Sequence, residues 1–152
     1  YIKEEFKLLI GEKTAEGVKI SIGNVLPGEY REVEVRGRDM VTGLPRQVIL
    51  TDTDIREAIT PSITALVEGV KEVLETTPPE ILGDVMHRGI ILTGGGALLY
   101  GLDTLLQTTL KIPVYIAEDP LSAVARGAGI ILEDIALFEE VLIDVEHDTK
   151  PR

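Results

Sequence analysis

Two groups of residues have the types and spacing that recognise a nucleotide. The first is Leu92-Thr93-Gly94-Gly95-Gly96-Ala97-Leu98-Leu99, a glycine triplet between an apolar run and an amphipathic stretch. Residues without Cβ let a ligand lie directly against the backbone, and a helix that follows offers free N–H groups and the positive end of its dipole. The pattern is neither GxxxxGKS/T nor GxGxxG, so it supports neither a P-loop nor a dinucleotide fingerprint. As a bare pattern it equally suits a tight turn. The second group is Glu16 and Lys19, three positions apart and therefore neighbours on one helix face. The lysine stem can lie over a purine or ribose while the carboxylate accepts a hydroxyl hydrogen bond. Taken alone, a solvated ion pair is the plainer reading.

Other polar residues point to structure. Asp52, Asp54 and Asp119 stand where helices are predicted to start and read as caps. His87 falls at the end of a predicted helix, where a cation favours the dipole. Ala123, Ala125, Gly127, Ala128 and Gly129 form a stripe of small residues suited to close packing of a helix on a sheet. Arg36 and Arg38 flank Gly37 among acidic neighbours, as an exposed strand or the polar rim of a protein contact. No catalytic residue and no metal ligand emerges. There is no Cys and only His87 and His147, which excludes a disulfide framework and a zinc site and makes an intracellular protein the expectation.

The chain has 152 residues, enough for one ordinary domain with a packed core. With 44% hydrophobic and 27% charged residues it matches globular averages, and no apolar run reaches the roughly 18 residues of a membrane span. A formal net charge of -11 opposes contact with nucleic acid or anionic lipid.

The elements that must position these groups follow from periodicity. Ile2, Phe6, Leu9 and Ile10 predict a helix over residues 1–10, stopped by Gly11, and Ala15, Val18, Lys19 and Ile22 a second over 12–22. Residues 24–29 read as a loop. Val33 and Val35, then Val48 and Leu50, alternate with polar residues and predict two half-buried strands around a turn-rich connection over 37–45. From Asp54 a long apolar repeat predicts a helix with a capping box formed by Asp54 and Glu57, kinked or divided at Pro61. Pro78-Pro79 ends it and opens a short helix over 79–86. Strands over 89–93 and 113–117 alternate with helices over 97–110 and 121–133, the order of a parallel pair. Two parallel strands do not make a sheet, so further strands are expected from sequence before residue 1 or from a partner. Residues 139–152 are polar and predicted to fray.

Read together, Leu8 to Glu12 with Thr14, Ala15, Glu16 and Lys19, then Val35 to Asp39, Thr42 to Pro45, Thr77 to Glu80, Arg88-Gly89, Leu92 to Leu99 and Ala117 to Leu121 resemble successive blocks of the MreB family, in the family's order and over nearly the whole chain. The resemblance implies an α/β fold: part of domain II of an actin-like (RNase H-like) ATPase, a parallel βαβα segment with a small inserted α+β subdomain. It assigns 1–22 and 78–138 to the large subdomain (IIA), 23–77 to the small subdomain (IIB) with its return helix, and 139–152 to a flexible tail. It further implies that Gly94, Gly95, Gly96 and Ala97 form the adenosine loop, with Glu16 and Lys19 facing the adenosine from the opposite helix.

The expected cofactor is ATP with Mg, its phosphate and metal contacts coming from an amino-terminal half that this sequence does not contain, so this segment alone should not hydrolyse ATP. The family function is ATP-dependent filament formation on the cytoplasmic side of the inner membrane, guiding peptidoglycan synthesis and maintaining rod shape. Expected partners are further copies of itself, membrane-associated cell-wall elongation proteins and ATP, with no nucleic acid and no membrane contact through this segment. A sugar-kinase or chaperone-type ATPase of the same fold, and a non-enzymatic interaction module, are the alternatives.

Overall fold

A computed structural model describes residues 1–139. It is built from α1 (Ile2–Glu5), β1 (Leu8–Leu9), α2 (Glu12–Ile22), β2 (Glu32–Asp39), β3 (Pro45–Thr51), α3 (Asp52–Thr76), α4 (Pro79–Arg88), β4 (Ile90–Leu92), a single 3₁₀ turn (Gly95–Leu98), α5 (Leu102–Leu110), β5 (Val114–Ile116) and α6 (Ala123–Glu133).

The first lobe is an antiparallel sheet in the order β1-β2-β3. Alternation in β2 and β3 sets a register in which Val35 faces Val48 and Val33 faces Leu50. Leu8, Val18, Ile22, Val35, Leu50 and Ile55 close the core beneath it. Each such side chain stabilises the fold by about 2 kcal/mol through removal of apolar surface from water. Residues of the 1–22 segment and the front of the 23–77 segment thus share one core.

The second lobe is a parallel pair, β4-β5, with Ile90 opposite Val114 and Leu92 opposite Ile116. Val67, Leu102, Leu106 and Val114 form its core. The long helix α3 joins the lobes: Ile55 and Ile59 pack into the first core, Ile63 and Val67 into the second.

Four expectations are corrected. The helix predicted over 1–10 is only α1, because Lys7 adopts a left-handed φ of 50° and Leu8–Leu9 pairs with β2 instead. Adjacent apolar residues at 9 and 10 suit either period, and burial of Leu8 in the sheet core decides. Pro61 neither ends nor divides α3, which is one helix of 25 residues. An internal proline costs about 3 kcal/mol; here it is exposed and lies between two sets of core anchors that hold the helix on either side. The capping box is formed by Thr51 and Asp54, not Asp54 and Glu57: the Asp54 N–H donates to Thr51 Oγ1 at 3.2 Å and the Thr51 N–H to Asp54 Oδ2 at 2.8 Å. The helix expected over 97–110 is the 3₁₀ turn followed by α5. Gly101, with φ 81°, and the pairing of Tyr100 with Asn24 interrupt it. Strands β2 to β5 and helices α2, α4 and α6 lie within a few residues of their expected bounds. The predicted tail lies, apart from Glu139, outside the described residues.

Candidate functional site

The α2 helix turns Val18 and Ile22, four positions apart, into the first core, which leaves Glu16 and Lys19 exposed on its other side. Among the described residues neither enters an ion pair. Both line an open cleft of about 660 Å³ between α1, β1, α2 and α3, together with Ile10, Glu12, Ala15 and Ile59. The pair therefore presents a carboxylate and an ammonium to one space.

The glycine turn begins where β4 ends. Gly94 has φ 78° and ψ 175°, a region that residues with a Cβ enter only under strain. Its N–H donates to the Pro120 carbonyl at 2.6 Å, which ties the turn to the approach of α6. Among the described residues, chain neighbours aside, no atom lies within 4 Å of the place a Cβ would take at Gly94 or Gly96, and at Gly95 only Leu121 Cδ2 does, at 3.5 Å. The backbone of this turn is thus open to a flat ligand. Ala97 is buried, and its N–H donates to the Gly94 carbonyl at 3.2 Å, so it shapes the turn from within. The dipole of a long following helix, expected from the sequence, is absent here because α5 begins only at Leu102.

The two groups meet at opposite ends of one junction. Two residues after α2, Asn24 pairs with Tyr100 in an isolated parallel bridge, and the Val25 N–H donates to the Tyr100 carbonyl at 3.0 Å. Tyr100 lies just beyond the glycine turn. The cleft that holds Glu16 and Lys19 is not itself lined by the glycines.

Sequence reasoning missed the polar residues at that junction. Asn24 and Asp52 are buried. Asn24 Nδ2 donates to Asp52 Oδ2 at 3.2 Å, Arg56 Nη1 donates to Asn24 Oδ1 at 2.6 Å and to Asp52 Oδ2 at 3.1 Å, and the Asp52 N–H donates to the Arg31 carbonyl at 2.9 Å. The Asn24 amide, followed by the Arg31 N–H and Arg56, holds the Asp52 carboxyl below its ordinary value against the opposing effect of burial. Asp52 is therefore a network centre rather than the cap expected. Its spacing of four from Arg56 was the available signal; Asn24, 28 residues away, offered none.

The remaining candidates are structural. Asp54 belongs to the capping box, and Asp119 accepts from the Ser122 hydroxyl, which lowers its pKa and organises the entry to α6. His87 and Arg88 occupy the last turn of α4. Arg36 is exposed and donates to Gln47 Oε1 at 3.1 Å. The small-residue stripe of α6 has no buried member, so the close packing expected of it is not made among the described residues. Those residues also contain no group of three His, Cys, Asp or Glu side chains placed to hold a metal.

The described family model MreB/Mbl protein matches residues 1–140. Over 136 residues, 89% of this chain, the chain is 54% identical to the cell shape-determining protein Mbl of Bacillus cereus and covers 41% of it. It is 49% identical over 136 residues to the cell shape-determining protein MreB of Escherichia coli K12, covering 39% of that protein. Crystal structures of Spiroplasma citri MreB5 are similar in fold: the AMPPNP-bound form has a TM-score of 0.85 at 37% identity over 93% of this chain and 43% of that one. The ADP-bound form has a TM-score of 0.86 at 37% identity over 92% of this chain and 43% of that one. The chain thus spans about two fifths of the relatives it matches. Its α/β architecture, with the parallel pair beside an antiparallel lobe, is part of an actin-like domain, and the chain belongs to the MreB/Mbl family.

Proposed function

We propose that this chain supplies the adenosine side of the ATP site in an actin-like cytoskeletal ATPase. The whole protein forms ATP-dependent filaments at the inner face of the cell membrane and, with cell-wall elongation proteins, guides peptidoglycan synthesis to maintain rod shape. The observation that carries the reading is the junction that joins the end of α2, bearing Glu16 and Lys19, to the open Gly94–Ala97 turn. Nucleotide-bound MreB5 structures that align with nearly all of this chain support it.

In this reading Glu16 accepts a ribose hydroxyl, the Lys19 stem covers the base or sugar, and the glycine backbone admits the opposite face. The phosphate and Mg contacts fall to the larger part of the protein outside this chain. The 23–77 subdomain contacts the next subunit, while 1–22 and 78–138 contribute to the large subdomain, although 1–22 shares a core with the insert. The family match over residues 1–140 favours this reading over a sugar kinase or a chaperone.

Titration of adenosine into the isotope-labelled chain, followed by amide chemical shifts, tests it. Shifts are expected together at residues 16–19 and 94–97, and Gly95→Val should abolish them by filling the space beside Leu121. Shifts in one group alone, or unchanged binding by Gly95→Val, would sink the proposal.

A further inference from the structure

The buried polar network at the junction has no part in either core. Asp52 opens α3, yet its side chain turns away from that helix to Asn24 and to the Arg31 N–H, the latter at 3.4 Å. Arg56, one turn further along α3, donates back to Asn24 Oδ1, to Asp52 Oδ2 and, at 3.0 Å, to Thr53 Oγ1. Four segments are held at one point: the exit of α2, the approach to β2, the first turn of α3 and, through the Asn24–Tyr100 bridge, the exit of the glycine turn. Among the described residues no buried side-chain polar atom lacks a partner, so each bond here is one a substitution would break.

Neither Asn24 nor Asp52 lines the cleft that holds Glu16 and Lys19. The backbone path from Lys19 to the glycine turn runs through Ile22, Gly23, Asn24 and Tyr100; Ile22 packs with Ile55 in the first core, and among the described residues Asn24 is the one on that path whose side chain hydrogen-bonds to α3. Loss of the anchor leaves the Val25–Tyr100 backbone bond as the tie between the α2 exit and the glycine turn, and frees α2 with Glu16 and Lys19 to tilt about that tie.

We propose that Asn24, Asp52 and Arg56 are positioning residues that set the separation of the two adenosine-binding groups, and hence nucleotide affinity, without touching the nucleotide. The inference rests on the adenosine-site reading above. Asp39 supplies a matched control. It is another buried carboxylate paired with an arginine, Arg46 Nη1 donating to Asp39 Oδ2 at 2.6 Å, but it lies at the far end of the β2–β3 hairpin.

Adenosine dissociation constants and thermal midpoints should be measured for the full 152-residue chain, Asp52→Asn, Asn24→Ala, Arg56→Gln and Asp39→Asn. The three junction variants are expected to weaken adenosine roughly tenfold, with ligand-free amide shifts at both 16–19 and 94–97. Asp39→Asn is expected to lower the midpoint and leave affinity unchanged. If Asp52→Asn does not fold, Arg56→Gln, at a partly exposed site, carries the test. Unchanged affinity in a folded junction variant, or a loss in Asp39→Asn equal to theirs, overturns the inference while leaving the site reading intact. No binding by the unsubstituted chain overturns both.

Discussion

The two lobes of this chain are built from comparable numbers of apolar residues, yet they finish their cores to different degrees. In the antiparallel lobe, Leu8 and Leu50 are completely enclosed, and the sheet has one face on α2 and α3 with the other turned outward. In the parallel lobe, Ile91 is 66% exposed and Tyr115 54%, and α6 buries no residue against the rest of the described chain. The difference follows from strand direction. An antiparallel sheet tolerates one solvated face and closes with short turns, whereas parallel strands read as continuous apolar runs because both faces are normally covered. A three-stranded hairpin unit can be complete within 50 residues of sequence; a two-stranded parallel pair of this kind is a portion of a larger sheet. The relatives, more than twice as long as this chain, have the length to supply the rest.

The contrast can be broken most directly by comparing substitutions in the two lobes. Leu50→Ala should destabilise the chain by about 3 kcal/mol, through lost burial and the cavity left behind. Ile91→Asp, on the bare face of the parallel pair, should change stability by no more than about 0.5 kcal/mol. Urea unfolding of both variants is the measurement. A large loss from Ile91→Asp would mean that this face is covered in solution and that the lobes are equally closed.

A smaller effect is expected where the second lobe spends conformational strain on its glycine turn. Gly94→Ala should cost about 2 kcal/mol, because a Cβ is strained at φ 78° even though no neighbouring atom crowds it. Unchanged unfolding by the same denaturant would show that the turn relaxes freely and is not held by the Gly94–Pro120 bond.

The mildest test uses acid and belongs to the first lobe. The Asp39 carboxyl is held well below the ordinary range by the Thr42 N–H, then by the Arg46 guanidinium and the Val41 N–H. Its folded value is depressed, so its stabilisation is fully present above the unfolded value of about 3.9 and is lost as pH falls below it. The thermal midpoint should therefore fall progressively as pH drops from about 4 toward the depressed folded value, and Asp39→Asn should flatten that fall. An acid profile identical in Asp39→Asn would remove this pair as a contributor.

Much of the fold was legible wherever a segment's environment is local. The alternation of Val33, Val35, Val48 and Leu50 specified a hairpin, and the Ile55 to Val73 repeat specified a long helix. The reading failed where two local patterns were equally good and contact chose between them. Leu8 and Leu9 fit a helix until β2 is present to pair with them. The stretch after Gly96 has helical spacing throughout, but Tyr100 is drawn into a bridge with Asn24, 76 positions earlier. The site followed the same division. Glu16 and Lys19 could be placed on one face from spacing alone, and the glycines at a strand end from composition, but the residues that join them are distant in sequence and carry no periodic signal.

The sequence by itself determined most of the element types, the exposed faces of α2 and the turn, the lack of cysteine and, through its succession of motifs, the family. These depend on side-chain period, backbone freedom and residue type, which act over a few positions. Tertiary structure alone decided that α3 runs unbroken past Pro61 as a spine through both cores, that Asp52 serves a buried network instead of a cap, and that α2 and the glycine turn meet at Asn24 and Tyr100. Each of those outcomes is a balance between a local preference and the burial or hydrogen bonding offered by a distant segment, and only the folded chain brings that segment into reach.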